Sequence, residues 1–82
     1  MAIVHFPSGW AQHTGGIDQI RIDAPRVSEL ITVLTARFPG LRDLLEQSAV
    51  AIDGQIYHQA RYEPLRPESE VHLLPAVSGG GA

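Results

Sequence analysis

Residues 17–38 read IDQIRIDAPRVSELITVLTARF, and within them the hydrophobic period changes. Ile20 and Ile22 alternate with Gln19 and Arg21, the two-residue repeat of a strand with one face buried. From Val27 the apolar positions fall at Val27, Leu30, Ile31, Leu34 and Phe38, a single stripe along a helix. Pro25 disfavours helix before this start. Pro39-Gly40 closes it with a breaker and a residue that tolerates left-handed backbone. Ser28, or the residues just before it, is expected to cap the helix N-terminus.

Upstream, residues 2–6 form a short apolar run with Val4 and Phe6 on one face, ended by Pro7-Ser8-Gly9. A polar, glycine-bearing stretch, residues 7–16, joins it to the strand around Ile20, so the two strands read as a hairpin. Downstream, residues 41–45 add one more helical turn. Val50-Ala51-Ile52 resumes strand character, Asp53-Gly54 turns the chain, and Ile56 and Tyr57 belong to the return. Pro64 and Pro67 rule out a central strand between them, with Leu65 as a single buried anchor. Residues 70–74 form the last strand, which Pro75, lacking an N–H, terminates. The order is ββαβ(β)β. One main helix in so short a chain packs on one face of a mixed sheet of four to five strands and leaves the other face to solvent. This predicts an α+β fold of the β-grasp (ubiquitin-like) kind, with the first and last strands parallel neighbours at the centre.

Composition narrows the function. An apolar fraction of 44% and a charged fraction of 18% fit one folded domain. Its expected limits are residues 1–77, followed by a flexible tail over 78–82. Cysteine is absent, which excludes disulfides, thiolate nucleophiles and Cys-ligated zinc, so any sulfur handled here comes from a partner. The six basic residues are all arginines, scattered along a chain of net charge −3, and form no stripe for a nucleic-acid backbone. The N-terminal MAIVHFPSGW has neither the basic region nor the apolar length of a signal peptide or membrane span, so a cytoplasmic protein without membrane contact is expected.

The last ten residues, Leu73-Leu74-Pro75-Ala76-Val77-Ser78-Gly79-Gly80-Gly81-Ala82, run from an apolar strand through a proline into glycines. Such a segment has the φ/ψ freedom to lie extended in a narrow channel of a partner. It is not a phosphate loop, which needs a strand before it and a lysine and helix after it. Asp43, Glu46, Glu68 and Glu70 form no recognisable acid–base pair, and no serine has a motif-placed base. His5, His13, His58 and His72 lack the spacing of a metal site in the sequence and read as solvated surface histidines, although strand neighbours can bring His5 and His72 together. Trp10, in a glycine-flanked loop, either covers the edge of the core or meets a partner. By alternation the open sheet face carries His5, His72 and Leu74.

Val27-Ser28-Glu29-Leu30, Phe38-Pro39-Gly40-Leu41, Asp53-Gly54, Pro64-Leu65 and the final block from Glu70 to Gly80 resemble the MoaD/ThiS-like sulfur carriers across almost the whole chain. His13-Thr14-Gly15-Gly16 after Phe6-Pro7 further resembles the carrier of the thiocarboxylate-dependent cysteine pathway. The resemblance implies a protein that catalyses nothing and binds no cofactor. An E1-like enzyme would adenylate its terminal glycine with ATP, and the resulting thiocarboxylate would donate sulfide to a synthase. It also implies that the face carrying His5, His72 and Leu74 docks the activating enzyme, with Leu74 as anchor. An ordinary exposed leucine is the alternative. Aligning the Pro-x-Val-x-Gly-Gly ending makes Gly80 the reactive residue, with Gly81 as the alternative, and leaves a short extension ending in Ala82. A zinc metalloprotease of the JAMM type is the expected trimming partner. The competing roles are a small subunit of a molybdopterin-synthase-like complex and a ubiquitin-like modifier. The sulfur acceptor stays open among cysteine, thiamine and molybdopterin precursors, with the match at His13 to Gly16 pointing to cysteine.

Overall fold

The computed structural model of the chain describes residues 1–75. Ala76, Val77 and the tail residues Ser78, Gly79, Gly80, Gly81 and Ala82 lie outside the described residues, and with them both candidate reactive glycines and the expected domain limit at residue 77. The elements in order are β1 (Ala2–His5), a 3-10 turn (Ser8–Trp10), α1 (Ala11–Thr14), β2 (Gln19–Ile22), α2 (Val27–Arg37), a second 3-10 turn (Pro39–Leu41), α3 (Arg42–Gln47), β3 (Ala49–Ile52), β4 (Gln55–Tyr57) and β5 (Glu70–Leu74).

The strands form one five-stranded sheet in the order β2-β1-β5-β3-β4. β1 runs antiparallel to β2 and parallel to β5, and β3 is antiparallel to both β5 and β4. This is the expected β-grasp topology, with first and last strands paired at the centre. A parallel pair needs a long crossover, and the chain from β2 through α2 supplies it. Alternation sends Ala2 and Val4 of β1, Val50 of β3, and Val71 and Leu73 of β5 to one face, where they meet Val27, Leu30 and Leu34 of α2, Leu41, and Leu45 of α3 in one cluster. Leu30, Leu34, Val4 and Val71 are fully enclosed. Phe6 and Phe38 close one end edge to face, with ring centroids 5.8 Å apart.

Several local details depart from the sequence-based expectation. The stretch of residues 7–16 is not a plain loop: it forms the first 3-10 turn and α1, which carry Trp10 (4% exposed) into the core cluster. Thr14 is buried and its hydroxyl donates to the Ile17 carbonyl at 2.8 Å, while Gly15 (φ 68) and Gly16 (φ 88) both take left-handed backbone to turn the chain towards β2. Two such residues in succession suit glycine alone without strain. Ser28 does not cap α2. Arg26 occupies the cap position without a side-chain bond, and the first helical N–H groups of Val27 and Ser28 donate instead to the carbonyls of Glu63 and Arg61. The backbone of the loop between β4 and β5 thus satisfies donors that a side chain would otherwise serve. Leu65 in that loop is half-buried rather than buried, and its N–H donates to the Pro25 carbonyl.

Gly40 likewise does not adopt left-handed backbone, which among the described glycines is confined to Gly15, Gly16 and Gly54. Its small size serves proximity instead, because a Cβ there would lie 3.0 Å from His13 Nδ1. The Asp53-Gly54 turn between β3 and β4 has positive φ at both residues (49 and 89), the geometry that matches the right-handed twist of a two-residue hairpin.

Two substitutions check this packing by thermal or denaturant unfolding. Leu34→Ala, which leaves a void under the sheet, should cost about 2–5 kcal/mol. Ser69→Ala should cost about 1–3 kcal/mol, because Ser69 is buried and its Oγ accepts the Arg66 N–H at 2.8 Å just before β5.

Candidate functional site

β5 lies at the middle of the sheet and leads into Pro75 and the glycine-rich residues beyond, so the site is built around this strand. Its register is fixed from both sides: Val4 pairs with Val71 and His5 with His72 on β1, while Ala49 pairs with Leu74 and Ala51 with His72 on β3. Its start is tied to the β3–β4 turn. The Glu70 N–H donates to Asp53 Oδ1 at 2.9 Å, and the Asp53 N–H donates to the Glu70 carbonyl at 2.9 Å.

With Val71 and Leu73 turned into the core, Glu70, His72 and Leu74 face the opposite side. The structure therefore brings together the three residues assigned to the open face: His5 and Leu74 are half-buried there and His72 is exposed. The His5 and His72 rings stack nearly parallel, with centroids 4.3 Å apart and planes inclined by 8°. His5 Nε2 lies 2.6 Å from Glu70 Oε1, close enough for its N–H to donate to the carboxylate. The small residues Ala49 and Ala51 flank this row on β3, and Ile56, opposite Ala51 on β4, is 59% exposed. The face thus combines an apolar side (Leu74, Ala49, Ala51, Ile56) with a polar cluster (His5, Glu70, His72). An exposed, low-relief patch of this mixed character is suited to meeting another protein.

Glu70 went unassigned in the sequence reading, although its spacing of two residues from His72 in a strand places both on one face. His13 and His58 are exposed and stand outside the cluster. Trp10 belongs to the core rather than to this face. On the helical side, a groove of ≈ 470 Å³ between α2, α3 and residues 58–62 is lined partly by Ile31, Leu45, Ser48 and Tyr62. Among the described residues no helix is long and apolar enough to cross a membrane.

The family model that matches this chain, ThiS, spans residues 11–80 and so includes α1, the whole crossover, β5 and the glycines through Gly80. The chain belongs to the ThiS family. Its fold is shared with CysO of Amycolatopsis orientalis, seen in complex with BexX (TM-score 0.84, 21% identity, covering 98% of this chain and 100% of that one). CysO of Mycobacterium tuberculosis is similar to it as well (TM-score 0.81, 18% identity, 94% and 100% covered). So is the small archaeal modifier protein 1 of Methanosarcina acetivorans (TM-score 0.81, 18% identity, 96% and 95% covered). At these identities the structures report the shared ubiquitin-like fold. No curated protein matches the chain significantly. Membership in the ThiS family makes it a ThiS/MoaD-like ubiquitin-like carrier, as its motifs suggested.

The two faces of β5 should respond differently to substitution. Glu70→Gln removes a solvent-exposed pair and should change unfolding free energy by less than about 1 kcal/mol. Val71→Ala, one residue on and fully enclosed, should cost roughly 2 kcal/mol through lost burial and the void it leaves.

Proposed function

We propose that this ThiS-family protein is a sulfur carrier whose C-terminal glycine, Gly80 or alternatively Gly81, is adenylated and converted to a thiocarboxylate after removal of the short extension ending in Ala82. The observation that supports this most is the continuity of β5 with the tail: a strand held in the middle of the sheet is followed in the sequence by Pro75-Ala76-Val77 and then Ser78-Gly79-Gly80, all inside the span the family model covers.

A glycine carboxylate is a poor electrophile. An oxygen of that carboxylate attacks the α-phosphorus of ATP, pyrophosphate leaves, and the acyl adenylate acquires AMP as a good leaving group. Hydrosulfide then displaces AMP and loses its proton, giving the thiocarboxylate, which is itself a soft nucleophile able to deliver sulfide to an acceptor. The chain has no cysteine, so the sulfur and the ATP-binding machinery both belong to partners. These are an E1-like adenylating enzyme, a sulfur-accepting synthase and a trimming metalloprotease of the JAMM type. Glycine at the reactive position lets the carbonyl reach an enclosed active centre without a Cβ in the way. The face carrying His5, His72 and Leu74 docks the activating enzyme, with Leu74 set between the half-buried Ala49 and the strand exit. Cysteine synthesis is the preferred destination of the sulfur. What supports it is the resemblance of His13-Thr14-Gly15-Gly16 to the carrier of the cysteine pathway.

A second reading, a ubiquitin-like modifier attached to lysines through the same glycine, is favoured by the match to the small archaeal modifier protein. Permanent insertion of the tail into a molybdopterin-synthase-like partner is a third, and stable co-purification with such a subunit would distinguish it.

The test uses chains ending at Gly80, at Gly81 and at Ala82, each incubated with ATP, an E1-like enzyme from the same host and a sulfide source, and read by intact-mass spectrometry. A form ending in glycine should gain AMP and then exchange one oxygen for sulfur, while the Ala82 form stays unchanged. Charging should persist in a Leu74→Asp variant at saturating concentration but with KM raised about tenfold. Failure of both shortened forms to accept AMP would overturn the carrier reading, and lysine adducts resistant to thiol would move it to the modifier.

A further inference from the structure

The cluster on the open face has donor chemistry that the carrier reading does not use. We propose that His5, Glu70 and His72 together form a binding site for a divalent transition-metal ion of the zinc class. One atom from each of the three residues lies within 4.8 Å of the others, and the three stand on two adjacent strands whose register is fixed. His5 and His72 are direct partners in the parallel ladder, and Glu70 shares the face of His72 two residues earlier. The backbone therefore sets the spacing before any ion arrives, with neighbouring strands about 4.8 Å apart and same-face residues about 6.6 Å apart along a strand.

The present contacts show how close the donor atoms already stand. His5 Nε2 and Glu70 Oε1 are 2.6 Å apart. Bonds of about 2.0–2.2 Å at a tetrahedral angle would separate them by about 3.3 Å. Opening that pair by about 0.7 Å, and turning the stacked His72 ring so that a nitrogen points at the same centre, are movements within the rotamer freedom of side chains at the surface. Ligation through His5 Nε2 needs its lone pair free, which the tautomer carrying the proton on Nδ1 supplies. Ligation in this way uses two imidazole nitrogens and one carboxylate oxygen, and leaves a fourth position for water. Imidazole selects zinc, copper, nickel and cobalt over magnesium and calcium. Among the described residues His5 is the only ion-pair partner of Glu70, so no arginine already neutralises the carboxylate. An ion held here would clasp β1 to β5, the central pair of the sheet. The proposal is independent of whether the tail is charged, because none of its ligands belongs to the tail.

The test is calorimetric titration of chelator-stripped, tag-free full-length protein with zinc chloride, with cobalt chloride as the optical probe. One ion per chain should bind, visible d–d bands should grow with cobalt, and magnesium should produce no heat. The NMR resonances of the His5 and His72 rings should shift in the unsubstituted protein, while those of His13 and His58 stay in place. His5→Ala and His72→Ala should each weaken binding by at least about tenfold, as a lost ligand costs no less than a lost supporting contact. Glu70→Gln should weaken it too, and His13→Ala should not. Saturating zinc should raise the melting temperature of the unsubstituted protein and raise that of His72→Ala by less. Absence of saturable one-to-one binding, or binding abolished by His13→Ala or His58→Ala and retained by His72→Ala, would overturn the proposal.

Discussion

The parallel pairing of β1 with β5 is the contact on which the rest of the molecule depends. It joins residues near opposite ends of the described chain, Ile3 to Glu70 and His5 to His72, and forming it closes a long loop. Its entropic cost is offset by burial on both flanks: β2 pairs on one side, β3 on the other, and α2 covers the inner face. Once made, it puts the last strand at the most protected place in the sheet. Ser69 and Asp53 tie the start of that strand, through a buried hydroxyl at one point and a carboxylate on the Glu70 N–H at the other.

Function follows from this anchoring by separating two kinds of structure. Residues up to Pro75 form a body in which each face of β5 has its own role. Val71 and Leu73 hold the core, while Glu70, His72 and Leu74 lie on the opposite face. In the proposed carrier role the chemistry falls to the glycine-rich end, and the absence of cysteine leaves the sulfur to come from other proteins. In that role stability and reactivity can vary independently, which suits a small domain proposed to serve more than one enzyme.

Much of this was legible in the sequence because period and punctuation agreed. The change from alternation at Ile20 and Ile22 to the stripe at Val27, Leu30 and Leu34 located β2 and α2, and Pro75 marked the end of β5 at Leu74. Asp53-Gly54 announced its turn. Features created by distant backbone contacts were not legible. Nothing near Ser28 signals that α2 is capped by the carbonyls of Glu63 and Arg61, since those groups have no residue identity. The short helical segment around Trp10 and Thr14 lacks a repeat long enough to register a period, and its order comes from burying the indole and from two left-handed glycines. The site was half visible. Alternation assigned His5, His72 and Leu74 to one face, but the meeting of Glu70 with His5 depends on a pairing register that no local spacing encodes.

The central claim is that the folded body is complete at Pro75 and that the chemistry resides beyond it. Its most direct measurement is the unfolding free energy of a chain ending at Pro75 beside that of the full chain, with amide exchange followed at Val71 and Leu73. The account predicts free energies within about 0.5 kcal/mol of each other and unchanged protection of both amides. A large loss of stability, or β5 amides that exchange freely in the shortened chain, would contradict it.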